Sequence, residues 1–184
     1  MLVDVESKLN NPGSIGIIPT DTVYGLVARA ADIQAVERLY ALKKREGKPG
    51  TLIAASIDQL EQLGLKRRYM KAVEQFWPGP VSVVIPVADP NLHYLHLGKQ
   101  SLAVRIPKND TLQALLKLSG PLLTSSANPP GKQTAITIQQ AKEYFDGDVD
   151  FYEDGGNLSN HQASTVIRVV DDAIEVLRQG ESQV

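Results

Sequence analysis

Hydroxyl, amide and cationic side chains recur at the ends of short apolar segments of this 184-residue chain. In residues 17–26, IIPTDTVYGL, two threonine hydroxyls, the Asp21 carboxylate and the Tyr24 phenol follow an apolar run and a proline. Later segments are followed by groups of the same kind, and these are Lys43, Lys44, Arg45, Lys48, Ser101, Arg105, Thr124, Ser125, Ser126, Asn128, Thr134, Ser164, Thr165 and Arg178. Hydroxyls and amides orient small polar ligands, while Arg and Lys neutralise phosphate or carboxylate. Together these groups predict a site for an anionic substrate.

Each of these segments, taken alone, also has a structural interpretation. Thr and Asp side chains bond to nearby backbone N–H groups in turns, which would account for residues 20–22. The cations of residues 43–48 would suit the C-terminus of a helix, where the dipole is negative. Arg105 is the most informative, because it stands in an otherwise apolar segment and a charged residue is seldom buried unless it is paired. An arginine on an edge strand would be ordinary, so both interpretations of Arg105 stay open at this point.

Several familiar chemistries have no support in the sequence. The chain has no cysteine, which excludes disulfides, thiolate catalysis and zinc–thiolate sites. There is no glycine-rich dinucleotide loop, and residues 131–134 fail the P-loop pattern because Ser126 stands where the first glycine is needed. No G-x-S-x-G elbow supports a serine hydrolase. His93, His96 and His161 lack a third partner in the pattern, so we expect no metal site built from side chains.

Charge and hydropathy narrow the class of protein further. A formal net charge of -2 and a pI near 5.9 argue against a surface that binds nucleic acid everywhere. No stretch approaches the roughly 20 apolar residues that a membrane helix needs, and the N-terminal residues carry acids rather than a signal-peptide core. We therefore expect a cytoplasmic protein that does not enter a membrane. The length suits one domain, residues 1–184.

The elements that must position these groups alternate between strands and helices. Short β-branched or apolar segments bounded by turn residues predict strands at 14–18, 51–55, 81–87, 101–106, 122–125, 164–170 and 174–177. Periodic and capping patterns predict helices at 33–44, 67–76 and 111–118, with capping boxes at 56–59 and 137–140 that open two more. Residues 164–177 are too short for a crossover helix and predict a hairpin. The pattern indicates an α/β domain with a mixed sheet rather than a purely doubly wound one.

Seven motifs, taken in order, give the chain a family resemblance. They are PTDTVYGL from Pro19, the K-x-R of Lys43 and Arg45, WPGPVS from Trp77, SLAVRIP from Ser101, TSSAN from Thr124, STV from Ser164 and RQG from Arg178. Their order and spacing, from about residue 14 to residue 180, resemble the YrdC family of threonylcarbamoyl-AMP synthases in its short, single-domain form. The resemblance implies a twisted mixed parallel and antiparallel sheet, flanked by helices, with a large concave substrate face.

The resemblance also implies a reaction. L-threonine, bicarbonate or CO2, and ATP with Mg2+ would give threonylcarbamoyl-AMP and pyrophosphate. A downstream threonylcarbamoyl-transferase complex would then pass the threonylcarbamoyl group to tRNA. The expected partners are therefore these substrates and that complex.

Site residues follow from the positions that match the family motifs. The resemblance places L-threonine at Thr22, Tyr24, Arg105, Thr124 and Ser164. It places ATP at Arg45, Lys48, Ser101, Ser126, Asn128, Thr134 and Arg178. Lys43, Arg45 and Arg105 are the expected catalytic cations. Lys48 stands one position earlier than the lysine of the usual family pattern, and residues 129–131, PPG, replace the common S-G.

Two rival functions belong to other classes. In the first, the family domain has been linked to double-stranded RNA and ribosome maturation. A basic patch would be formed by Lys66, Arg67, Arg68 and Lys71. The structural interpretation of these four residues is a solvated helix face. Salt-sensitive binding without ATP turnover would favour this rival. The other rival is the related carbamoyl-transfer domain of hydrogenase maturation, which usually sits in a much larger chain.

Overall fold

One mixed sheet organises the computed structural model, which describes residues 2–44, 47–171 and 173–184. The strands are β1 (Ile15–Pro19), β2 (Tyr24–Arg29), β3 (Thr51–Ile53), β4 (Val81–Pro86), β5 (Ser101–Arg105), β6 (Leu122–Ser126), β7 (Phe151–Tyr152), β8 (Thr165–Val170) and β9 (Ala173–Arg178). They form a nine-stranded sheet in the order β7-β1-β2-β6-β3-β5-β4-β8-β9.

The strand directions confirm the predicted mixed sheet. β2 runs antiparallel to β1 and β6, β6 to β3, β5 to β4, and β9 to β8. The pairs β1–β7, β3–β5 and β4–β8 are parallel. The predicted hairpin is present as β8 and β9. Strands β2 and β7 were not predicted, because β2 begins with the polar turn after β1 and β7 has only two residues.

Short helices connect and cover the strands. They are α1 (Leu2–Leu9), α2 (Ile33–Leu42), α3 (Ile57–Gln62), α4 (Arg67–Lys71), α5 (His93–His96), α6 (Asp110–Ser119) and α7 (Ile138–Phe145), with 3-10 turns at Glu74–Phe76 and Pro90–Leu92. No helix among the residues described here is long and apolar enough to cross a membrane.

The predicted helix starts are confirmed by their caps. Asp32 caps α2 by accepting from the Ala35 N–H. Ser56 caps α3, and the Gln59 side chain returns to accept from the backbone N–H of Ala55, one residue before the cap. The same arrangement opens α7 at Thr137. Each cap therefore satisfies N–H groups that the first helical turn leaves without partners.

Three helices, α1, α4 and α5, differ from the prediction. The helix expected at 67–76 ends at Lys71, and Trp77 is extended because Pro78 disfavours a helical conformation in the residue before it. Helix α1 was not predicted, although Val5 and Leu9 are spaced four apart and both are buried.

Alternate residues of each strand lie on opposite faces of the sheet. Val5 and Leu9 of α1 pack with Leu116 of α6, and Leu122 and Ile53 of the sheet join this cluster. A larger core lies on the opposite face, under α2, α5 and α7. The part of the first face that α1 and α6 leave uncovered is therefore free to line a cavity.

Candidate ligand-binding site

A cavity of about 510 Å³ opens over the uncovered part of the sheet. That size lies within the roughly 300–1,000 Å³ of typical small-molecule sites. Its polar lining residues come from the turn after β1 and from the segments around β3, β5, β6, β8 and β9, and they are Thr20, Thr22, Thr51, Lys99, Ser101, Arg105, Thr124, Ser125, Ser126, Ser164, Arg168 and Arg178. The predicted residues that the fold brings together here are Thr22, Ser101, Arg105, Thr124, Ser126, Ser164 and Arg178.

Strand alternation explains why these side chains converge. Ser101 and Arg105 are four positions apart on β5, so they share a face, as do Thr124 and Ser126, which are two positions apart on β6. Gly25 of β2 allows Thr124 to approach, because a Cβ at Gly25 would lie 2.7 Å from Thr124 Oγ1. The polar groups that are dispersed along the sequence thus line one surface only when the strands pair.

Thr20 is a turn residue, as the structural interpretation proposed. Its hydroxyl donates to the Val23 carbonyl at 2.6 Å and accepts from the backbone N–H groups of Thr22 and Val23 at 3.2 Å. The Thr22 hydroxyl lies 3.1 Å from the Thr20 hydroxyl and lines the cavity. Either hydroxyl could donate in this contact, and the Thr22 hydroxyl can donate to or accept from a ligand in the cavity.

Arg105 is buried and paired. Its side chain is 4% exposed, as is that of Asp21, and its Nη2 donates to Asp21 Oδ1 at 3.0 Å. Its Nη1 donates to Ser82 Oγ at 3.2 Å, whereas its buried Nε has no partner among the described residues. Burial lowers the pKa of the Arg105 guanidinium, and the Asp21 carboxylate opposes that effect. Of the two interpretations of Arg105, the structure supports the buried and paired arginine, because β5 lies between β3 and β4 and is not an edge strand.

A second arginine closes the far side of the cavity. Arg178 donates from Nε and Nη2 to the Ser164 carbonyl oxygen, at 3.1 and 2.7 Å, and from Nη2 to Ser164 Oγ at 3.1 Å. Gly180 keeps this segment close, because a Cβ there would collide with the carbonyl oxygen of Ala163. The two residues of the RQG motif therefore hold β9 against the start of β8.

Lys43 supports the cavity wall and does not line it. The side chain is buried, and its Nζ donates to the Ser126 carbonyl oxygen at 2.8 Å and to both oxygens of Asn128. Asn128 in turn donates to the Lys132 carbonyl oxygen at 2.7 Å and accepts from Ser126 Oγ at 2.6 Å. Lys43 and Asn128 thus fix the loop after β6, and the lining residue Ser126 with it.

Tyr24 lies away from the cavity. Its ring is fully buried, and its hydroxyl donates to the Gly156 carbonyl oxygen and accepts from the Gly155 N–H, both at 2.8 Å. Burial raises the pKa of the Tyr24 phenol, and the nearby Asp154 adds to the rise while the Gly155 N–H opposes it. A direct contact between Tyr24 and a ligand is therefore not what this geometry favours.

Three other predicted ATP contacts are not in the described lining. Lys48 is exposed and Thr134 is half-buried, and neither borders the cavity. Arg45 lies outside the described residues. Their ligand roles stay predictions.

Sequence reasoning missed two cations of the lining, Lys99 and Arg168. Lys99 is two positions before Ser101, so the alternation that places Ser101 and Arg105 on one face of the strand also predicts that Lys99 faces the cavity. Arg168 is engaged with Glu175, to which its Nη2 donates at 2.7 Å. Both side chains are exposed.

A match to a family model identifies the family of this chain. The model, which covers Sua5, YciO and YrdC proteins and is described as "Telomere recombination", matches residues 8–180. The chain belongs to the Sua5/YciO/YrdC family. Its nine-stranded mixed sheet with one lined face agrees with the fold that the motif resemblance implied.

Named relatives of this Sua5/YciO/YrdC chain are threonylcarbamoyl-AMP synthases. The chain is 33% identical to the threonylcarbamoyl-AMP synthase of Pyrococcus abyssi over 172 residues, which are 91% of this chain and 51% of that protein. It is 32% identical to the threonylcarbamoyl-AMP synthase of Marinobacter nauticus over 163 residues, 86% of each. The chain therefore spans about half the length of the first relative and most of the second.

A solved Sua5 structure in complex with L-threonine has the same fold as this chain. The P. abyssi Sua5 structure complexed with L-threonine superposes with a TM-score of 0.84 at 31% identity, over 97% of this chain and 54% of that one.

Two of the basic side chains in residues 66–71 of this Sua5/YciO/YrdC domain form ion pairs with carboxylates. Arg67 pairs with Asp58 and, at 2.8 Å, with Glu61. Lys71 pairs with Glu74 at 2.6 Å. These contacts favour the interpretation of a solvated helix surface over that of an RNA-binding patch.

Protein ligands for a metal ion are sparse in the part of the chain that the structure describes. No group of three or more His, Asp or Glu side chains is arranged to hold one. Asp21, the carboxylate next to the cavity, is committed to Arg105. Magnesium that is carried on phosphate oxygens needs few protein ligands, since it usually keeps several waters.

Proposed function

We propose that this chain is an L-threonylcarbamoyladenylate synthase. It joins L-threonine, bicarbonate or CO2, and ATP to give threonylcarbamoyl-AMP and pyrophosphate. The observation that carries the proposal is the buried Arg105 at the wall of a cavity that also presents hydroxyls and a second arginine. The synthase names of the relatives and the L-threonine complex of Sua5 support the same reaction.

The polarity of the cavity fits an amino acid. Arg105 is a buried cation that suits a carboxylate, because a guanidinium bonds carboxylates in a fixed fork. The Thr22 hydroxyl lines the same cavity and can accept from an ammonium group. Thr124 lies on the same face, where its side chain would contact the rest of the ligand. We assign L-threonine to this part of the cavity.

We assign the triphosphate to the remaining polar groups of the cavity. Ser101, Ser126 and Arg178 border the cavity, and Lys99 adds a positive charge that the sequence prediction did not include. Positioned cations stabilise the charge that develops on phosphate oxygens during transfer. Arg45 and Lys48, on the segment after α2, remain the predicted additional phosphate contacts.

The chemistry follows from this placement. The neutral threonine amine forms a bond to the carbon of CO2 and releases a proton to solvent. An oxygen of the resulting carbamate then attacks the α-phosphorus as the bond to the pyrophosphate oxygen breaks. Mg2+ bound to the phosphates would withdraw charge from the departing oxygens. The residues of the chain hold the two substrates together, so proximity and electrostatics supply most of the catalysis.

The wider biological assignments stay predictions. They are the transfer of the product to tRNA by a downstream complex, the cytoplasmic location, the single-domain form and the use of Mg2+. The double-stranded RNA alternative is not favoured, because Arg67 and Lys71 are paired with carboxylates.

Pyrophosphate release tests the proposal. Purified protein is given ATP and Mg2+ with and without L-threonine and bicarbonate, and release should require both. L-serine is the matched substrate control, because it lacks only the methyl group; a pocket that encloses this methyl discriminates by a factor of about 10 to 200. Release that is independent of threonine, or ATP binding without any turnover, would contradict the proposal.

A further inference from the structure

Ser82 is a buried serine between the two arginine-bearing sides of the cavity. It belongs to the WPGPVS motif, is the second residue of β4, and is 0% exposed. Its hydroxyl contacts two side chains among the described residues, Arg105 and Ser164. Ser82 is not among the cavity-lining residues, so any role in ligand binding has to act through these two neighbours.

The hydrogen bonds that Ser82 and Ser164 make to the arginines each have one possible direction. Arg105 Nη1 can only donate, so Ser82 Oγ accepts from it at 3.2 Å. Arg178 Nη2 can likewise only donate, so Ser164 Oγ accepts from it at 3.1 Å. The two serine oxygens are 2.9 Å apart, and one of them must donate to the other.

Burial decides which serine is the donor. The proton of Ser82 has one acceptor within the described residues, Ser164 Oγ, because Ser82 is enclosed and Arg105 accepts nothing. If Ser164 donated instead, the Ser82 proton would be buried without a partner, which proteins avoid. Ser82 therefore donates to Ser164, and both lone pairs of Ser164 are occupied by Ser82 and Arg178.

We infer that Ser82 is a positioning residue that makes the Ser164 hydroxyl an obligate donor to the ligand. The Ser164 proton has no acceptor left among the described residues, and Ser164 borders the cavity. Only an acceptor atom can complete this arrangement. On the proposed function, that atom is an oxygen of the threonine carboxylate or carbamate, next to the donors of Arg105.

The same chain of bonds connects the arginines assigned to the two substrates. It runs from Asp21 through Arg105, Ser82 and Ser164 to Arg178. Without the Ser82 hydroxyl, Arg105 Nη1 would lose this hydrogen-bond acceptor and the Ser164 hydroxyl could rotate. The Ser164 proton would then no longer be directed to the ligand.

Substitution of Ser82 tests the inference. Ser82→Ala should raise the KM for L-threonine about tenfold, equivalent to about 1.4 kcal/mol, with a much smaller change in kcat. It should also reduce the preference for L-threonine over L-threoninamide in binding measured by calorimetry, because the amide replaces one acceptor oxygen with a donor. Ser82→Thr, which keeps the hydroxyl, should restore much of both properties.

The controls separate this inference from a loss of folding. Ser119→Ala removes another buried serine hydroxyl, one that bonds the Gly120 carbonyl oxygen outside the cavity, and it should leave both readouts unchanged. Thermal unfolding of each variant reports whether it is folded. An unchanged KM and an unchanged amide preference in folded Ser82→Ala would overturn the inference while the proposed function stands. Unmodified protein that neither binds L-threonine nor releases pyrophosphate would overturn both.

Discussion

Removal of the Asp21 carboxylate should destabilise the protein by about 3 kcal/mol, even though Asp21 belongs to a turn. The reason is that Arg105 would then carry a buried charge without its counter-ion. Both side chains are 4% exposed, and they meet through a 3.0 Å contact between Arg105 Nη2 and Asp21 Oδ1. Breaking a buried pair by removing one partner costs about 3–5 kcal/mol.

The lower end of that range applies to this pair. Arg105 keeps its hydrogen bond to Ser82, and it borders a cavity that water can enter. A chain of 184 residues has an unfolding entropy of roughly 0.4 kcal/mol/K, at about 2.1 cal/mol/K per residue. A loss of about 3 kcal/mol therefore corresponds to a fall in Tm of about 8 °C.

A double-mutant cycle measured by urea unfolding isolates the pair. Asp21→Ala, Arg105→Met and the double variant are compared with the unmodified protein. Because the double variant buries neither charge, it should lose less stability than the two single variants together, by about 2 kcal/mol or more. Additivity within about 0.5 kcal/mol would refute the reasoning.

An exposed ion pair provides the matched control. Lys71 and Glu74 are about half exposed and lie 2.6 Å apart. The same cycle on this pair, with both residues changed to Ala, should give a coupling of about 0.5 kcal/mol or less. A coupling as large as that of Asp21 and Arg105 would show that burial is not the cause.

Three further predictions concern single side chains. Thr22→Ala should raise the KM for L-threonine about five- to tenfold and the KM for ATP less, in pyrophosphate-release assays, because the lost hydroxyl faces the amino acid; an unchanged threonine titration would contradict the assignment. Lys99→Ala should raise the KM for ATP roughly two- to fivefold, with the effect shrinking as salt is added, and a salt-independent effect would argue against a charge contact. Tyr24→Phe should lower the free energy of unfolding below pH 10.0, because the hydrogen bonds of the hydroxyl to Gly155 and Gly156 are lost. This difference should shrink as pH rises through the folded pKa, because burial raises the pKa of Tyr24 and its ionisation then destabilises the unmodified protein. Urea unfolding at neutral and alkaline pH measures that difference, and a constant difference would refute the link.

Most strands of the sheet could be predicted from the sequence, because their apolar runs end at turn residues. Strand β2 could not, since its first residues, Tyr24 and Gly25, belong to the polar motif that precedes the apolar run. The caps of α2, α3 and α7 were predictable because capping is local in sequence. The break after Lys71 depends on where the following chain must turn, and that is set by tertiary packing.

The site was predictable by residue type more than by contact. Arg105 was singled out because a charge in an apolar strand needs a partner, and it has one. Its partner, Asp21, could not be identified from the sequence, because the two residues meet only when the sheet is assembled. Lys43 shows the converse, since it was predicted to be a catalytic cation and its Nζ donates to the backbone carbonyl oxygens of Ser126 and Asn128.

The alternation of core and cavity residues along β5 limits how this site can change. Leu102 and Val104 enter the core, whereas Ser101 and Arg105 face the cavity. A one-residue insertion or deletion within the strand would exchange the two sets and place the guanidinium among aliphatic side chains. New ligand preferences can therefore arise by substitution at cavity positions, or by altered loops at the rim, but not by a change in the length of the strand that carries the arginine.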